Sequence, residues 1–399
     1  MTDERGAELL RRGGGTRRAT FLELFLDVVF VFAFTRVSQR LIQDITAGGQ
    51  RLPVELAQTL LLLLALWMVW SLTAWATSHY DPAQPRIQAV MVWSMFGSLV
   101  MAVSVPEAFA GHGISFAAGY VAIQVGRSVY LSVALRRHAE RHLSDRILVW
   151  SLVSAVPWVV GGLVQGDLRL LLWAVALAID YLGAGAGWPV PSLGRATASA
   201  WRVTGEHLAE RYQQFIIIAL GEMIFISGVG FSGSEFSLLR WLAFADAFAT
   251  TVLLWRIYFY RAGSVLAEAV AEAAEPARLG KSATYTHLTM IAGIVTTAVA
   301  YELVIAEPTG HIDPVRFAAI FGGPALFVVG RARFGYEVFG RVSWSRPVGL
   351  LVLVLALPLL VRLPLLGIAV SATAVLTGMA AVDALRARGR PPERPASPM

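Results

Sequence analysis

Apolar runs long enough to cross a bilayer recur from one end of this 399-residue chain to the other, separated by short polar segments. The runs predict membrane helices at approximately 20–43, 54–77, 87–110, 114–135, 146–165, 169–187, 211–231, 238–261, 285–306, 314–331, 347–362 and 364–384. The expected fold class is therefore all-α, a polytopic transmembrane bundle of about 12 spans. Arg362 and Pro364 interrupt the last pair, so a re-entrant hairpin would also fit there.

The two halves of the chain read as tandem six-helix repeats. LFLDVVFVFA, residues 24–33, aligns with ALGEMIFISG, residues 219–228, and sets Asp27 on Glu222 at an offset of 195. Phe116-Ala-Ala matches Phe317-Ala-Ala and Pro157 matches Pro358, both at an offset of 201. Six spans per half is an even number, so the copies would insert the same way up. The expected organisation is a basic segment at 1–20, a first repeat at 20–190, a linker at 191–210, a second repeat at 211–385 and a disordered Pro/Arg-rich tail at 386–399.

Composition agrees: 56% of residues are hydrophobic and 15% charged, and no hydrophilic stretch is long enough to fold as a separate soluble domain. Residues 1–20 are polar and basic, without the short apolar region of a cleavable leader, so the first span is expected to act as its own insertion signal. The absence of cysteine excludes disulfides, thiolate metal sites and thiol catalysis. A net charge of +6 does not imply a nucleic-acid partner, because the charges sit in alternate loops. Of 33 Lys and Arg residues, 24 fall on the side of the N-terminus and 7 on the other. That asymmetry predicts both termini in the cytoplasm.

Candidate chemistry is confined to a few ionisable groups inside the spans. A charge at that depth costs a few kcal/mol on an insertion scale, roughly 3, and marks a functional candidate. Glu23 and Asp27 are four apart on one helical face. Their sequence reading is open between proton or cation binding and a structural pair with Arg127, which lies at a similar depth. The second motif holds Glu206, His207, Glu210 and Arg211, followed by Gly221-Glu222, where Gly221 is expected to let another helix approach. Glu222, among apolar neighbours, is the strongest candidate for reversible protonation. Glu23, Asp27, His207 and Glu210 together form a conceivable O/N metal set.

Asp180 and Arg256 are expected to snorkel from span ends and His287 to be interfacial, while Asp246 and Glu302 suit an outward vestibule. The twelve tryptophans are expected mostly in an aromatic belt. No phosphate-cradling loop or nucleotide domain is present, and no cofactor is expected.

Two motifs carry a resemblance. Glu23-Leu-Phe-Leu-Asp27-Val-Val-Phe-Val31 resembles the opening ELFFDLVFV motif of the bacterial low temperature requirement A family, with Leu26 where that family usually has a second Phe. His207-Leu-Ala-Glu210-Arg211 through Phe215 and Ala-Leu-Gly221-Glu222 resembles its second motif, HxxER…F…ALGE. The resemblance implies a multi-pass inner-membrane protein and highlights the same five side chains, but it names no substrate.

Three functions follow from these features. The first is a proton- or ion-coupled secondary transporter using Asp27 and Glu222, with Glu23, Glu210 and His207 as further candidates and Arg127, Arg256 and Arg211 as charge partners. The second is a membrane-embedded enzyme with a metal or acid–base site at Glu23, Asp27, His207 and Glu210. The third is a scaffold or sensor without chemistry. The expected partners are the lipid bilayer and an unidentified small molecule or ion.

Overall fold

The computed structural model describes residues 8–10, 18–138, 140–196, 205–260, 265–266, 268–269, 276–311, 313–360 and 362–388. Most of the basic N-terminal segment, much of the linker and the tail beyond 388 lie outside the described residues. The named elements among the described residues are twelve α-helices and one 3-10 turn, Val105–Glu107. In chain order the helices are α1 Phe21–Ala47, α2 Leu52–His79, α3 Pro85–Ser104, α4 Gly113–Ala134, α5 Arg141–Leu163 and α6 Asp167–Ala186. They continue as α7 Gly205–Ser232, α8 Leu238–Tyr258, α9 Pro276–Ala306, α10 Pro314–Phe339, α11 Ser345–Leu360 and α12 Leu365–Ala387. Each coincides with one expected apolar segment.

Among the described residues, nine of these helices are long and apolar enough to cross a membrane: α2, α3, α5 to α10 and α12. The other three fall short for reasons visible in their residues. α1 carries Glu23, Asp27, Arg36, Arg40 and Asp44; α4 carries Gln124 and Arg127 among glycines and serines. α11 has 16 residues, roughly 24 Å of rise against a hydrocarbon core of about 30 Å.

The surface is the inverse of a soluble protein's: Phe96, Leu182 and Leu355 are each more than 60% exposed. Exposed apolar surface on this scale fits contact with lipid. The tryptophans correct the expectation of a belt. Trp67, Trp70, Trp158, Trp173 and Trp188 are fully buried, while Trp93, Trp241, Trp255 and Trp344 are exposed. Trp158 and Trp173 pack with Phe116 and Tyr120 into one aromatic core, with Trp173 Nε1 donating to the Trp158 carbonyl at 3.0 Å.

The chain divides into two compact units, Met1–Arg40 with Gly49–Arg211 and Leu41–Gly48 with Tyr212–Met399. In the first, α3 packs on α4, α4 on α5 and α5 on α6, and α2 touches α3, α4 and α6. In the second, α9 packs on α10, α10 on α11 and α11 on α12, and α8 touches α9, α10 and α12.

Glycine permits a close approach of helix backbones in each unit. A Cβ on Gly119 of α4 would meet the Gly97 carbonyl oxygen of α3 at 2.9 Å. A Cβ on Gly293 of α9 would meet the Phe327 backbone nitrogen of α10 at 2.5 Å and the Gly323 oxygen at 2.8 Å. Gly221 does not share this role, as the sequence suggested it would: it is exposed, and a Cβ there meets nothing within 4 Å. Gly293→Ala is therefore expected to cost about 1–3 kcal/mol, because helix backbones must separate. Gly221→Ala is expected to be neutral or stabilising, since alanine is the better helix former. Thermal unfolding in detergent reads both.

Candidate functional site

The first unit encloses four ionisable side chains without contact with solvent: Glu23, Asp27, His207 and Arg211 are each 0% exposed. Their placement begins with local sequence. Thr20-Phe-Leu-Glu23 is a capping box at the start of α1. Thr20 Oγ1 accepts from the Glu23 amide at 3.3 Å, and Glu23 Oε2 accepts from the Thr20 amide at 2.8 Å and its hydroxyl at 3.1 Å. The cap fixes the Glu23 rotamer, and the helix N-terminus favours its negative charge. Four residues on, Asp27 lies on the same face.

α7 supplies a matching pair at the same spacing, His207 and Arg211, so the two helices meet charge against charge at two levels. At the first, His207 Nε2 lies 3.2 Å from Glu23 Oε2, and its Nδ1 lies 2.9 Å from Ser78 Oγ of α2. At the second, Arg211 donates to both Asp27 oxygens, NH1 to Oδ2 at 2.9 Å and NH2 to Oδ1 at 2.7 Å. Trp70 Nε1 donates to Asp27 Oδ1 at 2.9 Å. Arg211 Nε stands 3.8 Å from Glu23 Oε1, so the guanidinium bridges the two levels.

The hydrogen bonds constrain where protons sit. Ser78 Oγ donates to the Ala74 carbonyl at 2.8 Å, which leaves its oxygen to accept from His207 Nδ1–H. The Nε2–Glu23 contact then requires one further proton, on either the imidazole or the carboxyl. With that proton the four side chains are electrically neutral; without it they carry one buried negative charge. Asp27 has no such freedom, because a bidentate arginine and an indole hold it and arginine does not release its proton.

The remaining candidates are placed differently. Glu210 Oε2 accepts from the Ala19 amide at 3.1 Å and so fastens the chain just before α1. Glu222 lies about three turns further along α7, in the second unit, and is buried at 1% exposure. The Glu206 side chain lies outside the described residues. Glu23, Asp27, His207 and Glu210 do not form a metal set: among the described residues, no three His, Asp or Glu side chains group as metal ligands. The physical reason is Arg211, whose fixed positive charge stands between the two carboxylates where a cation would have to go.

Arg127 is not the partner of Asp27. It bonds Thr73 Oγ1 at 3.0 Å and Gln124 Oε1. Through Gln124 and Tyr120 it continues to Asp180, which accepts from the Tyr120 hydroxyl at 2.7 Å. Asp180 is thus buried at 1% exposure and does not snorkel. Arg256 lies over the Tyr260 ring, 4.6 Å from its centroid. His287 is buried rather than interfacial, with Nε2 2.8 Å from the Tyr258 hydroxyl and Nδ1 2.7 Å from the Ala283 carbonyl. Asp246 accepts from Tyr301 at 2.8 Å in a knot that includes Thr250 and Thr373. Trp70, Ser78, Tyr120 and Gln124 carried no signal in the sequence, because one polar group in a Leu/Ala/Val-rich helix forms no pattern.

Comparison with known proteins agrees with this motif pair. The model of the bacterial low temperature requirement A protein family matches residues 18–381. An uncharacterized protein of Rhizobium meliloti (strain 1021), RA0937, is 37% identical over 318 residues, covering 78% of this chain and 76% of that one. No solved structure matches the chain.

Proposed function

The chain belongs to the bacterial low temperature requirement A family, and on that premise we propose that it is a proton-coupled secondary transporter whose proton site is the Glu23–His207 contact. The observation that supports this most is the single exchangeable proton sealed between an imidazole and a carboxylate beside a fixed ion pair. Gaining or losing it changes the buried charge by one, which is the kind of local switch that biases one packing over another. Asp27, which the sequence offered as a proton or cation carrier, is on this reading the anchor that orients Arg211. Glu222 remains the candidate of the second unit.

Alternating access needs two comparable halves, and the packing supports a duplication. The six contacts named for the first unit recur in the second with every helix advanced by six. In place of the Phe116–Phe317 register at 201, which cannot hold in the same uninterrupted helix, Gly119, Gly126 and Arg127 of α4 align with Gly323, Gly330 and Arg331 of α10 at an offset of 204. Arg127 bonds α2, and Arg331 bonds the α8 carbonyl of Ile257 at 2.9 Å. In this reading all twelve helices cross the bacterial inner membrane, both termini face the cytoplasm, and the arginine-rich loops lie inside.

Vesicles containing the reconstituted protein test the proposal. Incubated with a metabolite extract under an inward proton gradient, they are expected to accumulate one solute class, scored by mass spectrometry, and to lose it when a protonophore is added. Accumulation indifferent to the protonophore refutes the coupling. A second reading, a proton-dependent sensor, is favoured by the complete pairing of Asp27. It predicts pH-dependent protease protection without any accumulated solute.

A further inference from the structure

The first unit holds a second buried polar place, a cavity of about 30 Å³ between the end of α2, the second half of α4 and the start of α5. Its polar lining is His79, Tyr80, Arg127, Ser128 and Ser144, all buried, and the remainder is aliphatic. That volume admits about two water-sized occupants and is too small for a phosphate ester or an organic acid.

The lining has more hydrogens to donate than it has acceptors for them. Arg127 has five N–H groups, and among the described residues only Thr73 Oγ1 and Gln124 Oε1 accept from them. No carboxylate among the described residues pairs with it, and Asp180 is reached only through Gln124 and Tyr120. Neither ring nitrogen of His79 has a hydrogen-bond partner among the described residues, although the side chain is 3% exposed. Tyr80 and Ser144 share one contact of 3.4 Å between two hydroxyls, which leaves one hydroxyl hydrogen to donate. Ser128 spends its own on the Gln124 carbonyl at 2.9 Å. One carboxylate, Glu140, stands 3.6 Å from His79 Nε2, beyond hydrogen-bond distance and 24% exposed.

We propose that this cavity binds a halide ion, chloride in the cell, held by the Arg127 guanidinium, a His79 N–H and the Tyr80–Ser144 hydroxyls. Water alone satisfies such donors but leaves a guanidinium buried without a counter-ion, the costlier of the two deficits. A monatomic anion answers both, accepts from several directions at once and is close to a water molecule in size. Any charge on the imidazole is balanced by Glu140 beside it, so the charge that the halide answers is that of Arg127. The site does not depend on the transport reading.

Thermal unfolding of the full-length protein in detergent tests this, starting in sodium gluconate and exchanging it for sodium chloride or bromide at constant ionic strength. Both halides are expected to raise the unfolding midpoint saturably, because each binds the folded protein where gluconate is too large to enter. Arg127→Gln is expected to abolish the rise. His79→Phe keeps a ring against Tyr80, 4.7 Å away, and removes the donor. It is expected to need roughly tenfold more halide or above for the same effect, the worth of one hydrogen bond to a charged group. Arg136→Gln with Arg137→Gln, which removes two exposed charges from the loop after α4, is expected to match the wild type. Should Arg127→Gln fail to fold, His79→Phe decides alone. A wild-type halide dependence in His79→Phe overturns the site. So does a rise that never saturates and is equal in all the proteins, which marks general salt action, and so does no rise at all in the wild type, which leaves the cavity to water.

Discussion

Arg211→Met is expected to lower folded stability by about 3–5 kcal/mol, the cost of breaking one partner out of a buried ion pair. Asp27 would keep its charge in a place with no solvent and only the Trp70 indole to satisfy it. Asp27→Leu is expected to cost a similar amount, because Arg211 would then retain only its 3.8 Å approach to Glu23. The double variant is expected to recover most of the loss, since well-packed apolar side chains of similar volume replace buried pairs at little cost. Thermal unfolding of the four proteins in one detergent forms a double-mutant cycle. Additive losses, with a coupling energy near zero, would show that the pair does not hold α1 against α7.

Glu23→Gln separates the proton site from that anchor. The amide keeps the shape of the side chain and can still accept from Thr20, but it cannot be ionised. His207 can respond by giving up its second proton, an escape unavailable to Arg211. The stability loss is accordingly expected to be about 1–2 kcal/mol, within the range for one hydrogen bond to a charged group. Proton-driven accumulation is expected to fall at least about tenfold, as for loss of a positioned proton-transfer group. Glu210→Gln, which retains an acceptor for the Ala19 amide, is expected to leave accumulation near the wild-type level. If Glu23→Gln transports as well as the wild type, the proton does not pass through this contact. If it instead loses as much stability as Arg211→Met, Glu23 is part of the framework.

Much of this is legible in the sequence. Hydropathy located each of the twelve named helices to within a turn or two at most ends, because a bilayer requires long apolar runs and nothing in a short polar loop imitates them. Glu23 and Asp27, and His207 and Arg211, are each four apart, which already put them on single helical faces. The partners themselves were not legible. Asp27 and Arg211 are 184 residues apart, and by depth alone Arg127 was as good a match. The capping box was equally present in Thr20-Phe-Leu-Glu23, yet without knowing that α1 begins there Glu23 read as a residue inside the span. Glu222 drew attention because isolated acids in apolar runs stand out, whereas Ser78 and Trp70 did not, although both contact the charged pairs.

Sequence by itself determined the all-helical membrane character of this protein, its family and which side chains could carry charge. Local rules suffice for that, since apolar length, helical spacing and capping act within a few turns of chain. Only the tertiary structure decided which charges meet, which stay sealed and where a cavity opens. Those outcomes depend on how helices far apart in the chain cross, and close approaches of backbone, such as those at Gly119 and Gly293, are contacts to which hydropathy is blind.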